Sequence, residues 1–139
     1  MRNPMSASTA FANDLLTALF KDGYFGATYI TLHTADTGAA GTQSTSETTY
    51  TGYARVQVAP ADWGVTGADF SNSAAIEFPE VTGAAGDVLT HFTIGNGATG
   101  AGKVLLRGKL ANPVTVAVGQ ELRFKIGDMT GSVSTAAPV

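Results

Sequence analysis

The sequence predicts an all-β fold: an antiparallel β-sandwich or jelly-roll-like domain with one short N-terminal helix. Three observations lead there. Apolar and polar residues alternate in several runs between residues 27 and 126, the period of two that a half-buried strand requires. Gly, Pro, Asn and Asp interrupt these runs about every ten residues, the turn spacing of small sandwiches. One segment alone, near the N-terminus, carries the three- and four-residue spacing of a helical face.

Residues 1–8 read as an extended arm. Ser8 or Thr9 is a candidate N-cap, because its hydroxyl can accept from an orphan N–H of the first turn. Phe11, Leu15, Leu16, Leu19 and Phe20 then share one face, which predicts a helix over 9–22. Gly23 ends it in the left-handed conformation, with Lys21 in the last turn. The run from Ala27 to Thr34 is a strand with Thr28, Ile30 and Leu32 on one side and Tyr29, Thr31 and His33 on the other. Ala35–Thr51 has no apolar period and is expected to be a long surface loop. Ala54, Val56 and Val58 define a second strand that Pro60 closes, and Trp63 follows in a turn-rich setting.

Short strands are expected near Val65–Phe70 and Ala74–Phe78, then a stronger one at Asp87–Ile94 with Val88, Thr90, Phe92 and Ile94 on one face. Gly95–Gly102 holds four glycines and reads as a turn. Lys103–Leu110 alternates again, with Leu105 out of phase. Val114, Val116 and Val118 make a further strand, and Gly119-Gln120 fits a hairpin turn. Leu122, Phe124 and Ile126 give the clearest alternation of all. After Gly127 the chain reads as a tail, in which Thr130–Ser134 forms at most a short edge strand. The division is therefore an arm (1–8), a single sandwich domain (9–127) that includes the helix, and a tail (128–139).

Composition excludes several classes of function. Charged residues are 14% of the 139 positions, against roughly 25% in an ordinary soluble domain. Eight Lys and Arg against eleven Asp and Glu give a net charge of −3, whereas a nucleic-acid binder needs a basic face to neutralise phosphates. No apolar run approaches the ~18–20 residues of a membrane span. The first residues lack the continuous apolar core of a signal peptide. With no Cys there is no disulfide framework and no thiolate metal site. Ala, Thr and Gly supply 22, 19 and 17 positions, largely outside the periodic runs, which suits surfaces that pack closely without burying unpaired charge.

The charges are also unevenly placed. Seven acids (Asp36, Glu47, Asp62, Asp69, Glu77, Glu80, Asp87) lie mid-chain, and five cations (Lys103, Arg107, Lys109, Arg123, Lys125) lie in the last third. They read either as scattered solvated charge or as an acidic patch meeting a basic patch on a neighbouring copy.

Several constellations imitate chemistry. Gly97-Ala98-Thr99-Gly100-Ala101-Gly102-Lys103 has the G-x-x-x-x-G-K spacing of a phosphate-binding loop. That loop needs a Ser or Thr next and a following helix; here Val104 and a strand follow, so a Gly-rich hairpin loop is expected. His33 and His91 with Asp36 or Asp87 could ligate zinc, but nothing in their spacing demands it, and structural histidines are expected. A Ser/His/Asp triad through His91 lacks a nucleophile elbow. No catalytic, cofactor-binding or metal residue is therefore assigned, and the chain is not expected to be an enzyme. Trp63 with Tyr50 and Tyr53 could form a sugar-stacking platform or a subunit contact; the plainer reading makes Trp63 a partly buried anchor. Asp36 and Gly38 read as a strand-to-turn corner, Asn72 as a similar turn residue, and Arg55 as the partner of a mid-chain carboxylate.

The ordered set of local signatures resembles a family of small tailed-phage structural proteins. The matching stretches are Leu32-His33-Thr34-Ala35-Asp36-Thr37-Gly38, Tyr53-Ala54-Arg55, Ser71-Asn72-Ser73-Ala74-Ala75-Ile76-Glu77-Phe78-Pro79, Thr90-His91-Phe92-Thr93-Ile94 and Val118-Gly119-Gln120-Glu121-Leu122-Arg123-Phe124, within residues 9–127. A helix before the Leu-His-Thr strand is shared as well. The resemblance implies a virion structural protein assembled in the bacterial cytoplasm. A capsid decoration or cement protein is the first reading, bound to the major capsid protein and to copies of itself as a trimer or other homo-oligomer. The alternatives are a tail-fibre or baseplate component contacting other tail proteins, and then a carbohydrate-binding module. The candidate interface residues are Met1, Arg2, Asn3, Pro4, Met5, Tyr50, Tyr53 and Trp63; no membrane or nucleic-acid partner is expected.

Overall fold

In the computed structural model, which describes residues 1–137, the chain is mostly antiparallel β-structure with one short N-terminal helix, as predicted. It packs as two units. The first comprises residues 1–26, 59–75 and 124 onward; the second comprises residues 27–58 and 76–123.

The first unit begins with the exposed residues 1–6 and helix α1 (Thr9–Leu16), which runs on into a π-helical turn at Thr17–Lys21. The Ser8 hydroxyl accepts from Phe11 N at 3.1 Å, the expected N-cap. Ala12, Leu16 and Phe20 form the buried stripe. Four α-helical residues overshoot a full turn by about 40°. The wider π turn counters that drift and returns Phe20 beneath Leu16. Because the stripe runs through Ala12, Phe11 falls outside it and is 59% exposed, contrary to the sequence expectation. Gly23, at φ +77°, ends the helix as predicted.

Strands β3 (Trp63–Thr66), β4 (Asp69–Asn72) and β9 (Thr130–Ser132) form this unit's sheet in the order β3-β4-β9, all antiparallel. Val65–Phe70, expected as one strand, is instead a hairpin turning at Gly67, whose φ of +59° supplies the reversal. Residues 128–132, set apart in sequence as tail, are built into the unit. Met129 is buried, and its N–H donates to Asn72 Oδ1 at 3.0 Å. Asn72 Nδ2 reaches the carbonyls of Ala74 and Lys125, both at 2.8 Å. One buried amide thus ties β4 to the segment that leads into β9. Residues 138–139 of the expected tail lie outside the described residues. Packed on this sheet, Phe20 stacks on Phe70 at 4.5 Å, and Trp63 meets both rings edge-on at 5.6 Å.

The second unit carries a four-stranded antiparallel sheet in the order β2-β1-β6-β7, from β1 (Thr28–His33), β2 (Val56–Val58), β6 (Val88–Gly95) and β7 (Val104–Thr115). Strand β1 is central and covered on both sides, so its alternation does not mark an exposed face. In β6 the expected face inverts at one end: Leu89 is buried while Val88 is 44% exposed. Leu89 lies on the Thr93 side of the strand, which is covered as well. Nearby the pairing carries a bulge, with residues 109–114 of β7 opposite residues 91–89 of β6. The same bulge joins the two strands expected at Lys103–Leu110 and Val114–Val118 into one, leaving Val116 buried beyond its end and Val118 67% exposed. Phe92 lies flat over Gly108, where a side chain would overlap its ring.

Past this sheet the same two chain segments keep pairing. Val116 N donates to Asp87 O, Val81 N to Gln120 O and Phe78 N to Leu122 O. The pairing ends in a short ladder of β5 (Ile76–Glu77) with β8 (Arg123–Phe124), and β5 touches β2. The strand expected through Ile126 stops at Phe124; Ile126 is 67% exposed and Gly127 turns the chain at φ +81°.

Candidate functional site

The most organised polar constellation lies in the second unit, on the side of the sheet that bears Thr31, His33 and Thr93. The segment 35–51, a long loop as expected, is folded onto this face. Asp36 Oδ1 accepts from Gly38 N at 3.2 Å, and Gly38 takes φ +73°, the predicted corner. Gln43 is then completely buried. Its Nε2 donates to Thr31 Oγ1 at 3.0 Å and its Oε1 accepts from Gly97 N at 2.8 Å. A Cβ at Gly95 or Gly102 would overlap the Gln43 amide, so two glycines form the slot that admits it. Thr48 Oγ1 donates to Asp87 Oδ2 at 2.7 Å.

Glu47 and Arg55 close the loop. Arg55 Nε donates to Glu47 Oε1 at 2.9 Å, and Arg55 NH2 to Glu47 Oε2 at 2.8 Å, a two-pronged pair. The same guanidinium donates to the carbonyls of Gly97 at 3.0 Å and Gly100 at 2.6 Å. Tyr53 OH donates to Glu47 Oε1 at 2.9 Å and accepts from Leu32 N at 3.2 Å. Arg55 is thus the partner of a mid-chain carboxylate, as expected, and one side chain clasps loop 35–51 to the β6–β7 turn. Its side chain is 3% exposed and that of Glu47 18%. The hydrogen bonds to Glu47 hold the guanidinium pKa above its ordinary value, and burial pushes the Tyr53 phenol strongly upward. A cavity of about 440 Å³ opens above the clasp, lined by Thr49, Tyr50, Tyr53, Ala54 and Thr99 among others.

The phosphate-loop look-alike resolves as the expected Gly-rich hairpin loop. Two of its carbonyls face Arg55, and Asn96 Oδ1 accepts from Lys103 N at 2.9 Å. His33 and His91 are cross-strand neighbours. The Nδ1 of His33 lies 2.8 Å from Thr45 O, which can only accept, so Nδ1 carries the proton and Nε2 accepts from Thr93 Oγ1 at 2.9 Å. Of the carboxylates weighed as co-ligands, Asp87 receives Thr48, and Asp36 lies 3.7 Å from Arg107.

Burial lowers the His33 pKa; Glu47 opposes that shift, and Arg55 and His91 add to it. The unfolded chain therefore takes up this proton first as pH falls. Between the ordinary value near 6.5 and the depressed folded value it binds more protons than the folded chain, so stability drops with acidification. Urea midpoints are expected to fall across that window, and the slope to flatten in His33→Gln; an unchanged slope would show that other groups carry the effect.

Among the sequence-proposed interface residues, Met1, Arg2, Asn3, Pro4 and Met5 are exposed. Tyr53 is half-buried with its hydroxyl committed to Glu47, and Tyr50 is buried with its hydroxyl 3.3 Å from Pro79 O. Trp63 has no exposed surface, and its indole is the centre of an aromatic cluster. Gln43 and Glu47 were not singled out by sequence. The one available signal was the spacing of Gly95, Gly97 and Gly102, which leaves room for a side chain.

Residues 6–132 match the family described as podophage GP4 fiber I protein gp80. The chain belongs to this family. It is accordingly a phage virion structural protein, and Met1–Met5 lie outside the matched span. A search of curated proteins gives no match.

Proposed function

We propose that this podophage fiber I family member is a non-enzymatic building block of a virion fibre, in contact with copies of itself and with neighbouring tail proteins. The family match over residues 6–132 carries this reading. The hydrogen-bonding of the clasp supports it. Arg55, Glu47, His33 and Gln43, the side chains best suited to chemistry, are each committed to holding loops in place. An ordered loop on a rigid sheet is a surface suited to repeated contacts.

A capsid decoration or cement role is the second reading. It is favoured by the exposed arm at Met1–Met5, an extension able to order across a subunit boundary. Copy number separates the two. Quantitative mass spectrometry of purified particles is expected to find far fewer copies than of the major capsid protein, with labelled antibody at the tail. Near-stoichiometric copies spread over the head would replace the fibre reading with decoration.

A further inference from the structure

We infer that copies of this chain associate head to tail through two oppositely charged patches at opposite ends of the paired segments of the second unit. The first patch lies on β7, the outer strand of the four-stranded sheet. Arg107 and Lys109, with Lys103 just before the strand, are exposed there, and Asp36 lies 3.7 Å from Arg107. Arg107 and Lys109 stand on the same side of the sheet, opposite Thr93 and His91. The second patch lies on the β5–β8 ladder and its extension. Glu77, Glu80 and Glu121 are exposed, with Arg123 3.6 Å from Glu77 as their local cation. The Val81–Gln120 and Phe78–Leu122 hydrogen bonds bring Glu80 and Glu121 into neighbouring positions on facing strands.

Topology separates the patches along the paired segments. Arg107 and Lys109 stand opposite Thr93 and His91, whereas the acidic residues lie beyond the Val116–Asp87 hydrogen bond at the other end of the pairing. The four residues from His91 to Asp87 alone span about 13 Å, beyond the roughly 8 Å screening length at physiological salt. Within one copy the patches cannot neutralise each other; on two copies they are complementary, three cations beside Asp36 against three acids beside Arg123. Beside the acidic patch Val118 is 67% exposed, so that contact buries apolar surface as well. The lysines, the bulge after Lys109 and Pro113 guard the β7 edge against strand addition, which leaves side-chain contact as the mode of association. Because the two surfaces differ, the contact is heterologous and builds a ring or a filament. This inference does not rest on the fibre reading.

The test is sedimentation of the full chain and of two charge-reversed variants, Lys103→Glu/Lys109→Glu and Glu80→Lys/Glu121→Lys, with circular dichroism to confirm folding. The native chain is expected to associate at low salt and to weaken steeply as the screening length shrinks from about 10 Å at 0.1 M to 3 Å at 1 M. Each variant alone presents like charges at both patches and is expected to lose at least about tenfold in association constant. Mixed in equal amounts, the two variants are expected to associate again. A native chain that stays monomeric at high concentration and low salt overturns the inference. So does association that survives both reversals, or a mixture that fails to recover it.

Discussion

Arg55→Ala is expected to destabilise the fold by about 3–5 kcal/mol, the range for removing one partner of a buried ion pair. The guanidinium makes two bonds to Glu47 and one each to the carbonyls of Gly97 and Gly100. Alanine strands all of these acceptors at once. Glu47 would keep the Tyr53 hydroxyl as its remaining hydrogen-bond donor in a site where its side chain is 18% exposed. Arg55→Lys restores the charge but not the planar fork, so it is expected to recover only part of the loss. Replacing both partners, as in Arg55→Met with Glu47→Leu, removes the stranded charge and is expected to cost less than Arg55→Ala alone. Urea unfolding measures all three. Hydrogen exchange should show the loss first at the amides of Gln43 and Gly102, which bond within the clasped loops, and of Thr48, which ties loop 35–51 to Leu32 O. A cost below about 1 kcal/mol would put the clasp in the class of exposed surface pairs.

How legible such a clasp is depends on the range of the interactions that build it. Ser8, Gly23 and the Asp36–Gly38 corner were readable because cap and turn chemistry acts over two to four residues. The strands themselves were readable because alternation is local. Faces were less so: Thr93 and Ile94 on opposite sides of β6 are both buried, and Leu89 is buried where Val88 is not, because cover comes from distant segments that β6 itself does not name. The packing of loop 35–51 was hidden for a related reason. A stretch of Thr, Ser and Gln looks solvated, yet here those side chains satisfy one another and the backbone. Thr42 N donates to Thr45 Oγ1, and Gln43 fills a slot made by glycines more than fifty positions later. The Arg55 pairing was predictable in kind, since a mid-chain acid was the obvious partner. Which acid, and that two distant carbonyls would share the guanidinium, was set by tertiary packing.

Trp63→Ala is expected to be the most damaging single substitution in the first unit, costing about 3–5 kcal/mol, the range for truncating a buried aromatic residue. Trp63 is fully buried and contacts both Phe20 and Phe70 at 5.6 Å. Phe20 comes from the helical segment and Phe70 from β4, so the indole is the wedge that seats one on the other. A small domain holds only about 5–15 kcal/mol in total, so the variant is expected to lose a large fraction of its stability. Trp63→Phe keeps an aromatic edge against both rings and is expected to lie between the variant and the native chain. Denaturant unfolding followed by far-ultraviolet circular dichroism measures the loss. Hydrogen exchange is expected to report the largest drop in protection at β4, whose Asn72 stands opposite Trp63. Tryptophan emission supplies an independent check, since Trp63 is the one tryptophan of the chain. Its native emission should be blue-shifted, should resist quenching by iodide, and should move to the red only on unfolding. The alternative role gives the opposite pattern: a docking tryptophan would be quenched in the isolated chain, and its loss would weaken assembly while leaving the unfolding midpoint in place. A stability loss under about 1 kcal/mol with defective particle assembly would therefore move Trp63 from the core to an interface.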